Sequence, residues 1–437
     1  MSEKFFCSFP WGHLDIETNG DIKYCCASSY DDDHKFKDEN NQHYNIHTHS
    51  IKDAWNSSRI RALRQKLYNG ERAPECANCW QSEDIGGWSV RKAAQGAEKD
   101  SYPWISEIIK KSAQNNFYVD HTPYFYQIQT GNLCNLACKM CHANYSTTYG
   151  EFYSEIYEDV SLPKYQPDTE YAKSPDHRVK DPVRFDWPST VGLTQLIDDN
   201  KLKNLTRLYL SGGEPTIIKE NLDFLEKLVN NGYSKNIFLI ITTNITKIHP
   251  RFAEVLKHFK TAMLICSMDA VGEPNEIQRY PTVYETVEKN LQTYINLSKQ
   301  HQNIRVSLNI VLSCLTLPYV DKLLQKYIDT IKENEISIDI AGVPFVEKGD
   351  LNIKCVPQEI ATNTAQKLKS ILDINKQDMP SYAVGNFVDL ISALENWQYN
   401  HENNYADIHN ILDRIQAHHP DRNIKQIFDI YYENCYA

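Results

Sequence analysis

The chain has 437 residues, with 46 Lys or Arg against 57 Asp or Glu, and it carries a formal net charge of −11 at pH 7. Single domains usually contain about 100–200 residues, so this length predicts more than one domain. The acidic balance and the lack of basic runs argue against a nucleic-acid partner, because nucleic acids are bound through clustered Lys and Arg. A cationic peptide or a neutral small molecule suits the composition better.

Cysteine is the residue type that most limits the possible functions. The sequence contains 12 Cys but no N-terminal apolar segment like those of secreted proteins. Its apolar runs, for example residues 237–241, are far shorter than the about 20 residues of a membrane helix. We therefore expect a cytoplasmic protein without membrane contact. In that compartment, many cysteines indicate metal or redox chemistry rather than disulfides.

Residues 1–95 are predicted to form a small α+β domain that contains five of the cysteines. These are Cys7, Cys25, Cys26, Cys76 and Cys79. Within this stretch, residues 50–69 have apolar side chains at steps of three to five and are followed by Gly70, which predicts a helix that ends at this glycine. Residues 96–120 form a predicted linker to the next domain.

Residues 121–345 show short β-type runs separated by longer amphipathic stretches, the pattern of repeated βα units. Predicted strands cover residues 124–129, 205–210, 236–242, 262–267, 305–311 and 336–340. Six such strands predict an α/β fold, namely a partial (β/α)6 version of the TIM-like barrel. Residues 144–200 exceed what one crossover helix needs and are predicted as an insertion. Residues 346–437 are predicted to be mainly helical.

Three cysteines, Cys134, Cys138 and Cys141, follow the first predicted barrel strand. A four-iron cluster normally takes four thiolates, so three leave one iron open to the amine and carboxylate of a small molecule. A structural zinc ion or unpaired thiols are the alternatives, although zinc sites usually have two Cys-x2-Cys pairs. The C-x3-C-x2-C triplet on a first βα loop resembles the signature of the radical S-adenosylmethionine (SAM) superfamily, and barrel active sites form at this end of the strands.

A second motif also resembles this superfamily. The sequence SGGEP at residues 211–215 resembles its GGEP motif, in which two glycines allow close approach to SAM and the glutamate binds the SAM ammonium. The matching residues here are Gly212, Gly213, Glu214 and Pro215. By itself this sequence is also a common turn. Met140 stands where the superfamily often has an aromatic residue that packs on adenine, and its polarizable sulfur can make that contact.

Polar residues close the later predicted strands, and the resemblance implies SAM contacts for them. It implies ribose contacts for Asn244, Ser267 and Asp269, a carboxylate contact for Arg279, and an adenosine contact for Asn309. Alternation along the strand places Ser267 and Asp269 on one face. The alternative for such residues is a helix cap or a turn, which Ser, Asn and Asp at strand ends often provide.

The N-terminal cysteines supply a second possible cluster. Cys7, Cys25, Cys76 and Cys79 give the four thiolates that one four-iron cluster needs. The pattern Cys7-x12-Gly20-x4-Cys25 with a later Cys76-x2-Cys79 resembles the twitch domain, a shortened relative of the SPASM domain that holds an auxiliary cluster. In many relatives this domain follows the barrel, whereas here it precedes it. A structural zinc site, and ligation by Cys26 instead of Cys25, are open alternatives.

These resemblances imply two [4Fe-4S] clusters, SAM, and a reductant such as flavodoxin or ferredoxin. The implied activity is that of a radical SAM oxidoreductase, which makes a 5′-deoxyadenosyl radical, abstracts hydrogen from a peptide or protein, and passes an electron to the auxiliary cluster. The acidic charge and the tyrosine-rich insertion favour a peptide. The alternatives are a dehydrogenase or epimerase of a sugar, an aminocyclitol or another small molecule, and a zinc-stabilised binding protein on a degenerate barrel.

The sequence does not assign a catalytic base or a hydrogen donor. His142, Glu347 and Lys348 are titratable residues that could act as a base, and Cys355 or Cys435 could donate a hydrogen atom. Ordinary packing explains each of them at least as well.

Overall fold

The structure is a computed structural model that describes residues 5–28, 36–84, 89–92, 94, 104–158, 184–196, 202, 204–346, 351–397 and 408–433. Its strands are β1 His13–Ile16, β2 Ile22–Lys23, β3 Phe125–Gln129, β4 Arg207–Ser211, β5 Phe238–Thr243, β6 Thr261–Ser267, β7 Ile304–Asn309 and β8 Asp339–Gly342. They form a sheet in the order β2-β1-β3-β4-β5-β6-β7-β8. All six predicted strands are present as β3 to β8, and the predicted α/β fold is confirmed.

Helices alternate with the strands from β3 onward. The helices are α1 Phe9–Gly12, α2 Ile51–Trp55, α3 Ser58–Asn69, α4 Ala77–Asp84, α5 Ile105–Gln114, α6 Thr147–Glu158, α7 Leu193–Leu196, α8 Lys219–Asn230, α9 Pro250–Leu256, α10 Glu273–Gln278, α11 Tyr284–Gln300, α12 Val320–Asn334, α13 Gln358–Asn375, α14 Ser381–Glu395, α15 Ile408–His418, α16 Ile424–Ile427 and α17 Ile430–Glu433. The last five account for the helical C-terminal region that the sequence predicted.

Strands β1 and β2 were not predicted, and they add to the sheet beside β3. β1 pairs with β3 in parallel, with His13 opposite Phe125, and β2 pairs with β1 antiparallel. The turn between β1 and β2 contains Gly20 at φ +88°, where an added Cβ would lie 2.8 Å from the Ile46 side chain. Strands of four and two residues are too short for alternation to reveal them.

The chain divides into two compact units. The first comprises Met1–Gly131, Phe185–Ile240 and His258–Thr261, and the second comprises Asn132–Arg184, Ile241–Lys257 and Ala262–Ala437. Each is described by itself below.

In the first unit, the predicted helix over residues 50–69 is two helices, α2 and α3. The side chain of Ser50 caps α2 by accepting a hydrogen bond from the Asp53 N–H, and Ser57 likewise caps α3. α3 ends at Gly70 in a left-handed conformation, φ +76°, as the sequence predicted. The second serine cap therefore restarts the helix after Asn56.

A buried arginine on α3 joins three segments of the first unit. The Arg64 guanidinium donates to the carbonyl oxygens of Pro10 at 2.7 Å, Phe117 at 3.0 Å and Trp55 at 2.9 Å. The Trp55 indole N–H donates to the His121 carbonyl at 2.8 Å. These bonds hold the N-terminal segment, α2, α3 and the segment before β3 together.

In the second unit, the C-terminal helices pack on the segment between β7 and α12. The Tyr319 hydroxyl donates to the Ile427 carbonyl at 2.9 Å, and the Tyr431 hydroxyl donates to the Cys314 carbonyl. Both tyrosines are buried. The C-terminal region is therefore an integral part of this unit.

Candidate active site and cluster-binding regions

The three cysteines of the triplet lie on one loop, residues 132–146, which we call the triplet loop. Cys134, Cys138 and Cys141 are all half-buried. The Cys134 carbonyl accepts a hydrogen bond from the Thr148 hydroxyl at 2.7 Å, and the Cys141 N–H donates to the Cys138 carbonyl at 2.9 Å. The start of α6 thereby fixes one end of the loop, and a tight turn fixes the other.

A second backbone segment pins the middle of the triplet loop. The Ala137 N–H donates to the Tyr280 carbonyl at 2.6 Å, and the Lys139 N–H donates to the Gln278 carbonyl at 2.8 Å. These two carbonyls flank Arg279, so the same segment that holds the loop also presents this arginine to it.

Arg279 brings a buried positive charge to the cysteines. Its Nε lies 2.7 Å from Asp269 Oδ2, and it donates through Nη2 to Asp269 Oδ1 at 2.8 Å. Burial raises the pKa of the Cys138 thiol to about 11, and the nearby Arg279 opposes this rise. Burial, Cys138 and Cys134 together raise the pKa of Cys141. The three thiols are therefore close enough to repel one another as thiolates, and a guanidinium faces them.

One amide donor also faces the triplet. The Asn244 side-chain nitrogen lies 3.9 Å from Cys134 Sγ and donates to Asn135 Oδ1 at 3.0 Å. Three clustered thiols, one guanidinium and one amide donor fit an anionic, thiolate-ligated iron–sulfur cluster, because bound metal cations remove the repulsion between thiolates. Cys134, Cys138 and Cys141 are the residues that would hold it.

The structure places the other predicted SAM contacts of the second unit as follows. Ser267 and Asn309 are register partners at the ends of β6 and β7. The Asp269 carboxylate is fully buried and, besides Arg279, accepts from the Gln278 side chain at 2.6 Å and the Val311 N–H at 2.8 Å. The sequence did not reveal that Asp269 and Arg279 bind each other. Their contacts with SAM, like those of Asn244, Ser267, Asn309 and the half-buried Met140, remain predictions.

The SGGEP segment lies in the first unit. Gly212 has φ +112°, and an added Cβ would lie 2.8 Å from the Gly131 carbonyl and the Thr130 nitrogen, so only glycine fits beside the end of β3. The Gly213 N–H donates to the Gly131 carbonyl at 2.9 Å. Glu214 is buried, and its Oε1 accepts from the Thr216 N–H at 3.1 Å. The glycines thus have a role in the fold, and SAM binding by Gly212, Gly213, Glu214 and Pro215 stays a prediction.

The five N-terminal cysteines are neighbours within the first unit. A hydrogen bond with Cys26, then burial and the proximity of Cys26 and Cys7, raise the pKa of Cys25. Burial and the proximity of Cys79 raise the pKa of Cys76 to about 12. Burial raises the pKa of Cys79, and Cys26 adds to this rise. Cysteines that are far apart in sequence are therefore brought together, and Cys26 is among them.

Three contacts hold the segments that carry these cysteines. The Arg91 guanidinium forms an ion pair with Glu83 at 2.5 Å and donates to the Phe6 carbonyl at 3.0 Å, which joins the Cys7 segment to α4. The Tyr24 hydroxyl donates to the Glu75 carbonyl at 3.2 Å, which joins the Cys25 segment to that of Cys76. This arrangement fits a cluster with four or more thiolates available.

Several candidate residues gain no role from the structure. His142 is half-buried, with its ring 4.6 Å from that of Tyr145, and Cys355 is half-buried. Glu347, Lys348 and Cys435 lie outside the described residues, as do residues 159–183 and 197–200 of the predicted insertion. Within the described ranges, no three His, Cys, Asp or Glu side chains converge as they would around a single metal ion.

Comparison with protein families accounts for both cysteine regions. Residues 128–327 match the radical SAM superfamily, and residues 7–80 match SPASM, an iron–sulfur cluster-binding domain. The chain therefore contains a radical SAM domain preceded by a SPASM-type domain. A radical SAM domain implies SAM and a [4Fe-4S] cluster, and the N-terminal domain is of the iron–sulfur cluster-binding type, as the resemblance implied. No curated protein matches the chain.

Solved structures that resemble the chain do so weakly. Streptococcus suis SuiB bound to S-adenosylmethionine is 14% identical, with a TM-score of 0.37, and the match covers 72% of this chain and 63% of SuiB. SuiB bound to its precursor peptide SuiA is 14% identical, with a TM-score of 0.37 and coverage of 74% and 62%. Native anSMEcpe with bound AdoMet is 21% identical, with a TM-score of 0.34 and coverage of 57% and 59%. The chain thus spans less than two thirds of SuiB, and such TM-scores do not support a shared substrate.

Among the described residues, no helix is both long and apolar enough to cross a membrane.

Proposed function

We propose that this chain is a radical SAM oxidoreductase that abstracts hydrogen from a peptide or protein and uses the N-terminal cluster as its electron acceptor. The observation that carries the proposal is the difference between its two cysteine sets. The triplet offers three thiols on one loop, whereas five thiols gather in the N-terminal domain. A set of three leaves an iron open for SAM, and a set of four or more can close a cluster that only transfers electrons.

When bound, the triplet cluster supplies the electron that cleaves SAM. The chain's residues have separate tasks around it. Cys134, Cys138 and Cys141 bind the irons, and the Asn244 amide nitrogen, 3.9 Å from Cys134 Sγ, points a donor at one sulfur. Asp269 holds the Arg279 guanidinium by two short contacts, so that its charge stays beside the thiolates and available to a carboxylate. We further propose that Glu214 binds the SAM ammonium and that Met140, Ser267 and Asn309 contact the adenosine.

The composition supports a peptide substrate. The net charge of −11 attracts a cationic peptide, and the 27 tyrosines, several of them in the predicted insertion, provide side chains that contact peptides well. Free thiols are stable in the cytoplasm, where flavodoxin or ferredoxin would supply electrons, and we place the protein there.

Iron, sulfide and SAM cleavage test the proposal together. After anaerobic reconstitution we expect about eight irons per chain, and about four in a variant with Cys134, Cys138 and Cys141 all changed to Ala. The wild type should form 5′-deoxyadenosine with reductant, and a basic peptide library should stimulate this more than sugars or aminocyclitols do. Stimulation by a sugar alone would overturn the peptide assignment. Zinc in place of iron in the N-terminal domain would remove the proposed electron acceptor.

A further inference from the structure

A buried contact links the triplet loop to the C-terminal region. Lys139 lies between two residues of the triplet motif, Cys138 and Met140, yet its side chain turns inward and is only 2% exposed. Its Nζ lies 2.9 Å from Nε2 of His419, which is 1% exposed and 280 residues further along the chain. Burial lowers the pKa of Lys139 to about 7, and the nearby Cys138 opposes this fall. A buried lysine head group costs free energy unless it has a hydrogen-bond partner, so this contact determines where the side chain can lie.

His419 is itself held in one orientation. Its ring lies 4.5 Å from the Tyr280 ring in an edge-on arrangement and 6.2 Å from the Phe152 ring in a stacked one. The Gln416 side chain donates to the His419 carbonyl at 3.1 Å. Burial, followed by the charge of Lys139, lowers the pKa of His419 to about 3, so its imidazole is neutral and can accept a hydrogen bond.

The same segment also contacts the helix that leads into Arg279. Arg422 pairs with Glu276 at 3.0 Å and with Glu273 at 3.4 Å, both on α10. Glu276 in turn accepts from the Tyr284 N–H at 2.7 Å. Residues 419–422 therefore contact two elements that meet at the triplet loop: the loop itself through Lys139, and α10 through its two glutamates.

We propose that His419 is a positioning residue for the SAM cluster, which it serves by holding the Lys139 side chain against the triplet loop. The lysine amine, which already interacts electrostatically with Cys138 in the cluster-free chain, then stays at a fixed distance from the iron-binding thiolates, where its positive end favours the reduced, more negative cluster. His419 touches neither SAM nor iron. The proposal rests on the assignment of the triplet to the SAM cluster and is independent of the substrate.

The potential of each cluster provides the test, because the auxiliary cluster serves as an internal reference. Lys139→Met removes the charge and should lower the midpoint potential of the SAM cluster. His419→Leu removes the acceptor and should shift the potential in the same direction, and the double variant should shift it no further. His419→Gln keeps an acceptor and should restore most of the wild-type value. In all variants the potential of the auxiliary cluster should stay unchanged.

His418→Leu is the matched control, since His418 is a buried histidine one position away. It should leave both potentials unchanged. Urea unfolding of the cluster-free protein gives a second measurement: the effects of Lys139→Met and His419→Leu should be non-additive if the two side chains interact. Any of three results would overturn the proposal. These are an unchanged SAM-cluster potential in His419→Leu, equal shifts in the potentials of both clusters, and strictly additive effects of Lys139→Met and His419→Leu on the free energy of unfolding. In the variant with Cys134, Cys138 and Cys141 changed to Ala, the redox signal that shifted in the other variants should be absent. This result identifies the signal as that of the SAM cluster, and it requires no substrate.

Discussion

The two cysteine regions of this protein are built in opposite ways. The triplet places three thiols within eight residues of one loop, so the sequence alone brings them close. The N-terminal cysteines extend from Cys7 to Cys79, and the fold of the domain must gather them. A local set depends on the shape of one loop, and a dispersed set depends on every contact that joins its segments.

Each region also contains a buried arginine with different partners. Arg279 pairs with a buried carboxylate, that of Asp269, and faces the thiols. Arg64 instead donates to backbone carbonyls, among them those of Pro10 and Phe117. Arg279 therefore brings positive charge to the thiols, and Arg64 holds backbone segments of its domain together.

The largest expected effect separates the two cysteine sets. Changing Cys134, Cys138 and Cys141 to Ala should abolish SAM cleavage and remove about four irons, because no other thiol of the loop can replace them. Changing Cys76 and Cys79 to Ala should also remove about four irons but leave reductive SAM cleavage measurable. Iron analysis and 5′-deoxyadenosine quantification check both. If the second variant also lost all SAM cleavage while remaining folded, the two regions would not be functionally separate.

The Asp269–Arg279 pair gives the next largest effect. Arg279→Met leaves the Asp269 charge buried without its cation, which should lower the free energy of unfolding by about 3–5 kcal/mol. Lys326→Met is the control, since Lys326 and its partner Glu288 are both 39% exposed, and it should cost no more than about 1 kcal/mol. Urea unfolding of the cluster-free protein measures both. Equal losses of unfolding free energy in the two variants would show that burial does not make the Asp269–Arg279 pair more important for stability than an exposed pair.

Arg64→Met should affect the N-terminal region alone. It leaves three buried carbonyls without their donor, for a loss of about 3 kcal/mol at about 1 kcal/mol or more each. Iron at the N-terminal cysteines should fall while reductive SAM cleavage persists. Arg72→Met removes an exposed pair with Asp84 and is the control. A parallel loss of iron from the triplet would contradict the idea that Arg64 joins only the dispersed region.

Two buried carboxylates, one in each unit, also differ in their hydrogen-bond partners. Asp269 has several donors, whereas neither oxygen of Asp15, on β1, meets a donor at good hydrogen-bond geometry, although Gln129 is near enough to favour its charge. Burial, partly offset by Lys23, raises the pKa of Asp15 from 3.8 to about 7. The folded state then holds this proton longer than the unfolded state does, so the stability from this group is present at low pH and is lost as pH rises towards 7.

Asp15→Asn should remove this pH dependence. Between pH 5 and pH 8, the wild type should lose about 3 kcal/mol of unfolding free energy relative to the variant. Urea unfolding at the two pH values measures the difference. A constant difference between wild type and variant across this range would mean that Asp15 titrates normally in the folded protein.

The sequence predicted what is encoded locally. The strands β3 to β8 have runs long enough to show their pattern, and the triplet carries its spacing within one loop. The break at Asn56 between α2 and α3 escaped prediction because the apolar steps continue across it. The serine before each helix, Ser50 and Ser57, was the available signal.

What the sequence missed depends on partners distant along the chain. Polar residues at strand ends were expected to meet a ligand, but residue type does not say that Asp269 binds Arg279. The contact of Lys139 with His419 spans 280 residues, and neither residue belongs to a recognisable motif pair. Such contacts arise from packing, since a buried charge takes whichever partner the fold places beside it.

The smallest expected effect concerns the choice between adjacent thiols. Cys25 and Cys26 are both half-buried, and Cys26 is close enough to affect Cys25 and Cys79. If Cys25 is the ligand, Cys25→Ser should lower the iron of the N-terminal cluster, and Cys26→Ser should leave it unchanged after anaerobic reconstitution. The reverse result would assign Cys26. A partial loss in both variants would show that the two thiols exchange as ligands, as a dispersed set permits and a three-thiol loop does not.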